Sequence, residues 1–193
     1  MKFFNLRIPV FLIFISSISF SQTFQAGIKL DAERLSTSHN EFPSSHFQVR
    51  TAYLTGTYFL WNDLAFEARM GYNWEDYYSG AEAGLFSKYY YKDVYTVFGI
   101  VYHHINNEIT DNIDQNYFPT ETDLLMPALG LGFNPGRHFA FELMFQHGLN
   151  KKIGYYNNWA LLASSLYHPL SELSPDIKLK WIMKIGMSYS FSF

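Results

Sequence analysis

The chain has 193 residues, no cysteine, a formal net charge of −3 and an aromatic content of 20%. This length predicts one domain. The lack of cysteine excludes disulfides, thiol catalysis and cysteine metal ligands, and the mild acidity argues against nucleic acid as a partner. Mean hydropathy is only −0.09, and no later stretch reaches the roughly 20 apolar residues of a spanning helix. A strand barrel hides its apolar residues by alternation, so weak hydropathy with many aromatics favours a barrel.

Residues 1–21 are predicted to be a secretory signal peptide. Lys2 and Arg7 precede an apolar run at 8–15, and Ser19 and Ser21 occupy the −3 and −1 positions of a small-x-small cleavage site. The run is too short for a transmembrane anchor, which needs about 20 residues. Residues 22–193 are therefore expected to form the exported domain.

The exported part consists of segments that alternate apolar and polar residues, the period-two pattern of β-strands. Eight strands are predicted, at 23–34, 47–59, 64–75, 80–91, 94–104, 124–133, 138–148 and 177–193. Apart from the short tip at 76–79, long connections alternate with tight turns such as 134–137 (NPGR). Outer-membrane barrels have short periplasmic turns and long external loops, so this alternation predicts that both termini are periplasmic.

Two places in this assignment stay open. Pro127 is awkward inside a closed sheet and predicts either a bulge or the true start of the sixth strand. Residues 155–167 fit either a loop helix or additional strand residues, although a ten-stranded barrel lacks a partner for them.

One face of each strand is apolar and aromatic, and the other carries the charges. Tyr53 is assigned to the apolar face, and inward Gly130 and Gly132 are expected to leave room for bulky neighbours. The predicted inward charges are seven basic and six acidic residues: Lys29, Arg50, Arg69, Lys88, Lys178, Lys180 and Lys184 against Asp31, Glu33, Glu67, Glu75, Glu82 and Glu142.

This separation of charge predicts lipid outside and a polar lumen inside. An Arg or Lys facing lipid costs about 2 to 4 kcal/mol near the midplane, and the central outward positions carry no charge. A soluble ligand-binding barrel would do the reverse, with an apolar lumen. Eight strands enclose a space that side chains just fill, so the charges are expected to form a structural plug rather than an ion path.

The signal peptide, the alternating strands, the NPGR turn and the closing YSFSF resemble the small eight-stranded outer-membrane barrels of the OmpX and OmpA-transmembrane-domain type. The resemblance is one of pattern and length. It implies an all-β, closed, antiparallel, up-and-down transmembrane barrel in the outer membrane of a Gram-negative bacterium, with no cofactor. It also implies that Tyr189, Phe191 and Phe193 form the signal read by the barrel assembly machinery.

The segment 102–107 (YHHINN) loosely resembles the His-x-Ser-Asn motif of lipid A deacylases. His104 would match the catalytic histidine and Asn107 the motif asparagine, but Asn106 stands where the nucleophilic serine belongs. Acyl transfer by this route lacks an activated hydroxyl. His103, His104 and Asn107 are therefore weak candidates, and the two histidines are expected to be rim residues.

The same region also contains residue types that can bind a cation. His103 and His104 could combine with acidic residues of the following loop, but residues 111–116 (DNIDQN) lack the spacing of a calcium loop. A solvated polar loop is expected, with no metal.

The expected function is a non-enzymatic structural or surface-interaction role through the long loops 105–123 and 149–176, without an open pore. Outer-membrane lipid or lipopolysaccharide, the assembly machinery, and an extracellular protein or glycan are the expected partners. Two alternatives remain: a lipid A-modifying hydrolase, which requires a serine, a histidine and an acid at the rim, and an accessory subunit of an envelope or secretion complex.

Overall fold

The computed structural model describes residues 24–38, 47–75, 78–106, 117–136, 138–156 and 176–193. Within these residues the chain forms nine strands: β1 (Phe24–Thr37), β2 (Gln48–Phe59), β3 (Leu64–Asn73), β4 (Gly80–Tyr91), β5 (Val94–Ile105), β6 (Tyr117–Pro119), β7 (Thr122–Phe133), β8 (Phe139–Tyr156) and β9 (Asp176–Ser192). The same residues contain no helix long and apolar enough to cross a membrane.

Eight of these strands form a closed antiparallel barrel. They follow one another in the order β7-β5-β4-β3-β2-β1-β9-β8, and β8 pairs with both β9 and β7, which closes the wall. Among the described residues, the three-residue β6 pairs with Gly154, Tyr155 and Tyr156 at the end of β8. Phe24 and Phe193 meet at one end, where the amide of Phe193 donates to the carbonyl of Phe24 at 2.9 Å. We call this the terminal end and the opposite end the loop end.

The predicted eight-stranded barrel is confirmed, and the largest differences from the predicted strands are three. β1 continues to Thr37, and β8 continues to Tyr156 because its pairing with β9 resumes at Lys151 and extends to Tyr155. β6 lies in a stretch predicted to be loop. Residues 157–167 of the open stretch lie outside the described residues.

Pro127 is neither at a bulge nor at a strand start. It lies inside β7, opposite Ile100 of β5 in an unbroken register. The pairing of β7 with β8 begins at Ala128. Pro127, which has no amide hydrogen, thus lies just beyond the end of the β7–β8 ladder, so this ladder loses no hydrogen bond.

A double irregularity in β8 and β9 reverses the orientation of side chains at the loop end. Lys180 is an extra residue relative to β1, whose Ser36 and Thr37 pair with Trp181 and Leu179. An extra residue exchanges the two faces of a strand. Leu179 is consequently fully buried and Lys178 and Lys180 are exposed. The predicted inward orientation of these two lysines is wrong.

A second irregularity, in β2, explains why Tyr53 faces the lumen and not the lipid. Thr51 pairs with Asp31 and Val49 pairs with Ala32, so Arg50 is an extra residue in β2. The predicted outward Tyr53 therefore faces the lumen and is only 5% exposed. When a strand contains a bulge, alternation predicts the correct face for residues on one side of the bulge and the wrong face for those on the other side.

The outer surface carries an apolar belt. It consists of the outward residues from Leu64 on β3 to Trp74, which directly follows β3, and from Trp181 to Phe191 on β9. Outward residues at the same depth on the other strands complete it. Ten residues at about 3.3 Å, tilted by about 40°, span about 25 Å, the height of an apolar band in a membrane barrel. Within the belt Met70 and Leu85 are 70% and 71% exposed. An apolar surface of this extent is suited to lipid and not to water. The barrel is transmembrane.

Candidate functional site

The first group of polar side chains fills the lumen near the terminal end, and we call it the terminal network. Arg69 joins two acids: its Nε lies 2.5 Å from Glu67 Oε1 and its Nη1 lies 2.8 Å from Glu142 Oε1. Lys29 and Lys88 bind the same acids, at 3.1 Å from Glu142 and 2.6 Å from Glu67. The network contains three bases and three acids, all buried: Lys29, Arg69, Lys88, Asp31, Glu67 and Glu142.

The second group, the loop network, lies further toward the loop end. Lys184 Nζ is 3.1 Å from Glu33 Oε2 and 2.8 Å from Glu82 Oε2, and it donates to Tyr53 Oη at 2.8 Å. Tyr53 in turn donates to Glu82. His103 Nδ1 lies 3.0 Å from Glu82 Oε1. One lysine thus holds together two buried acids from different strands.

These networks correct the predicted charge count. With Arg50 3.1 Å from Glu75, the lumen contains five of the seven predicted basic residues and all six predicted acids. An unpaired buried charge is costly, so pairing of this kind stabilises a filled lumen.

Most of the remaining lumen is apolar, which the sequence did not predict. This apolar cluster lies mainly on β5, on β7 and on the loop-end parts of β8 and β9, and includes Val97, Val101, Ile105, Leu124, Met126, Met144, Ile153, Ile177, Leu179 and Ile182. β7 gave a usable signal, because its sequence (LLMPALGLGF) is apolar on both faces.

The predicted role of two glycines is confirmed in this cluster. A Cβ on Gly132 would overlap the ring of Tyr95. A Cβ on Gly130 would lie 2.4 Å from the carbonyl oxygen of Leu143 on β8 and 2.9 Å from Val97 Cγ1. Each glycine makes room for a bulky side chain on the neighbouring β5. The apolar cluster therefore depends on close packing in the way that a soluble core does.

The two adjacent histidines of the weak motif point to opposite faces of β5, as neighbours in a strand must. His103 is fully buried in the lumen, and its ring stacks on Tyr78 with centroids 3.8 Å apart. The prediction that it lies at the rim is wrong. His104 faces outward at the loop end. Asn107 lies outside the described residues.

His104 is the centre of a small polar group on the outer rim, which we call the rim histidine site. Its Nδ1 is 2.8 Å from Asp123 Oδ1, and Tyr102 Oη donates to the same oxygen at 2.7 Å. Glu121 Oε1 is 3.9 Å from His104 Nε2. These residues come from β5 and from the start of β7, which sequence spacing alone does not bring together.

Asp123 is the cross-strand partner of His104, which is the next outward residue after Tyr102 on β5. Both lie beyond the loop-end limit of the apolar belt. Hydrogen bonds from His104 and Tyr102 lower the pKa of the Asp123 carboxyl below its ordinary value. An aspartate on Nδ1 fixes the orientation of an imidazole and leaves Nε2 to accept a proton. Asn106, at the position of the missing serine, donates through its amide to Tyr72 Oη at 3.1 Å.

The described residues contain no group of three or more His, Cys, Asp or Glu side chains placed to hold a metal ion. The rim histidine site offers a paired base and acid, His104 and Asp123.

The three residues of the implied assembly signal lie on the outer surface of the terminal end. Tyr189 and Phe191 make an edge-to-face contact with centroids 4.9 Å apart, and Phe193 is 80% exposed. The exposed ring of Phe193 is accessible to a partner. Recognition by an assembly machine stays a prediction.

No family model and no curated protein matches the chain. Three solved structures are similar in fold. Ail, the attachment invasion locus protein of Yersinia pestis, in complex with the heparin analogue sucrose octasulfate, is 14% identical, with a TM-score of 0.44 over 89% of this chain and 100% of that chain. OprG from Pseudomonas aeruginosa is 14% identical, with a TM-score of 0.40 over 88% and 95%. Neisserial surface protein A is 11% identical, with a TM-score of 0.43 over 89% and 97%. Likenesses this distant carry no argument about what this chain does.

Proposed function

We propose that the protein is a non-enzymatic outer-membrane β-barrel without an open pore, which acts as a structural or surface-interaction protein at its loop end. One observation carries this proposal: a closed eight-stranded wall surrounds a lumen filled by paired charges and an apolar cluster. Eight strands leave little more space than side chains need. The belt outside and the filled interior suit a membrane anchor that presents a surface.

The orientation we propose has both termini in the periplasm. Tight turns join β2 to β3, β4 to β5 and β7 to β8 at the terminal end, and β8 and β9 continue past the belt at the loop end. Short periplasmic turns and longer external segments are typical of outer-membrane barrels. The signal peptide predicted at 1–21 supplies the export that this orientation requires.

The partners we propose follow from the two ends. The barrel assembly machinery would read Tyr189, Phe191 and Phe193 at the terminal end. Outer-membrane lipid or lipopolysaccharide would surround the belt, and an extracellular protein or glycan would meet the loop end.

Cysteine labelling of intact cells tests the orientation. Because the natural chain has no cysteine, a single introduced thiol reports its own location. We expect Asn112→Cys, between β5 and β6, to react with a membrane-impermeant maleimide on intact cells. Gly136→Cys is the matched control, since a Cβ there meets nothing within 4 Å, and it should react only after permeabilisation. The reverse pattern would contradict the orientation.

A second candidate function, a lipid A-modifying hydrolase, is favoured by the 2.8 Å contact between His104 and Asp123 at the outer rim. The pair supplies two of the three groups that the hydrolase needs. Lipid A mass spectra from a deletion strain test it, and spectra identical to those of the parent strain would remove this candidate. A mass change that returns with the natural gene but not with His104→Ala would establish it.

A further inference from the structure

Three exposed lysines lie on the outward face of β8 and β9 at the loop end. We call Lys152, Lys178 and Lys180 the lysine cluster. Lys152 and Lys178 are direct cross-strand partners, whereas the neighbouring Lys151 pairs with the buried Leu179 and therefore lies on the opposite face of β8. The cluster therefore joins two strands over a few residues of each.

The cluster exists because of the double irregularity. In a regular β9, Lys178 and Lys180 would face the lumen with Lys184. The extra residue Lys180 in β9 and the insertion of Gly148, Leu149 and Asn150 in β8 turn them outward. Leu149 and Asn150 adopt φ of 51° and 54°, conformations that non-glycine residues avoid.

The positive charge of the cluster is poorly compensated. Among the described residues its one recorded ion pair joins Lys152 Nζ to Asp176 Oδ1, at 2.6 Å. Like charges directly across a pair of strands repel each other. A bound anion would relieve this repulsion, and several closely spaced lysines favour a ligand with more than one negative group.

The position of the cluster indicates the source of that anion. Trp181 lies at the loop-end limit of the belt on β9, and Lys180 and Lys178 follow immediately beyond it. Lysines just outside an apolar band lie at the depth of lipid headgroups. On β5 and β7, by contrast, the corresponding rim carries Glu121 and Asp123 beside His104. An anionic headgroup would thus be bound on the β8–β9 side of the barrel.

We propose that the lysine cluster binds the phosphate groups of a phosphorylated glycolipid in the outer leaflet. The inference rests on the proposed function, because that orientation places the loop end in this leaflet. It specifies the site and the chemical class of lipid, which the proposed function does not.

Binding of lipid A to the full mature chain in neutral maltoside micelles tests the proposal. Native mass spectrometry would measure the affinity for bis-phosphorylated lipid A and for the same lipid with both phosphates removed. The test variant combines Lys152→Gln, Lys178→Gln and Lys180→Gln. The control is Lys92→Gln, an exposed lysine in the β4–β5 turn at the terminal end. A gel shift on boiling confirms that each variant is folded.

We expect the natural chain and Lys92→Gln to bind bis-phosphorylated lipid A equally. Each lysine near an anionic surface contributes about a fivefold change in affinity, so the triple variant should bind at least about tenfold more weakly. Removal of both phosphates from the lipid should produce a similar loss.

Equal binding by the triple variant, or of the dephosphorylated lipid, would overturn the proposal. Inorganic phosphate that competes at the same concentration as lipid A would also overturn it, because free phosphate would then be the ligand. The labelling experiment above separates the two inferences: accessible Asn112→Cys with no phosphate-dependent binding leaves the proposed function standing and removes only the lipid site.

Discussion

The two walls of the lumen are filled by different kinds of side chain. On the side formed by β1 to β4, charged residues are paired across the lumen, as Arg69 is with Glu142 of β8. On β5, β7 and the loop-end parts of β8 and β9, apolar side chains fill the space with the help of glycines. The charged wall needs each partner to be present, whereas the apolar wall needs the volumes to match. Substitutions should therefore affect stability in different ways on the two sides.

Lys184→Met is expected to have the largest effect, because it leaves Glu33 and Glu82 buried without their base. Removing one partner of a buried ion pair costs about 3 to 5 kcal/mol. Urea unfolding in lipid vesicles would measure the loss. Lys178→Met, on the same strand but exposed, should stay within about 0.5 kcal/mol. A Lys184→Met variant as stable as the natural chain would show that the charged wall does not depend on pairing.

Leu179→Ala tests the apolar wall. Leu179 is fully buried in the apolar cluster, so we expect the free energy of unfolding to fall by about 2 to 5 kcal/mol. Leu131→Ala is the matched control, because Leu131 faces lipid and is 62% exposed. Equal losses in both variants would mean that this end of the lumen is not packed like a core.

Gly132→Ala should destabilise by overpacking. The new methyl would overlap the ring of Tyr95, and forced repacking costs about 1 to 3 kcal/mol. Gly136→Ala, in the turn between β7 and β8 with open space around it, should be close to neutral by the same unfolding measurement. A neutral Gly132→Ala would indicate that Tyr95 moves freely, contrary to a close-packed wall.

The smallest effect is expected outside both walls, at the rim histidine site. Tyr102→Phe removes one of two hydrogen bonds that lower the pKa of Asp123, so the carboxyl should titrate at a higher pH. A carboxyl with a lowered pKa adds stability above its ordinary pKa, and this is lost as pH falls through the lowered value. NMR titration of Asp123 below about pH 4 would measure the change. An unchanged titration would show that His104 alone sets it.

Strand positions and the charged wall were predictable because the two faces of β1, β3 and β4 differ in polarity. Glu67 and Arg69 alternate with Phe66, Ala68 and Met70, so burial of the former follows from a period of two. The apolar wall was not predicted because a period of two assigns faces by their contrast in polarity, and β7 has no such contrast. Its signal is instead that both of its faces are apolar.

The rim and the lysine cluster could not be predicted for another reason. A bulge exchanges the two faces of a strand, and no residue type marks Lys180 or Arg50 as the extra residue. The contact between His104 and Asp123 depends on the register between β5 and β7, which skips the intervening β6. Neither the position of a bulge nor the register between two strands can be read from the spacing of residues in the sequence.

Conductance across a planar bilayer tests the central claim, a closed barrel with a filled lumen, most directly. The purified mature chain, shown to be folded by its shift on boiling, should insert without producing current steps at moderate voltage. The terminal network, the loop network and the apolar cluster together should block the passage of ions. Stable, reproducible current steps from the natural chain would contradict the claim.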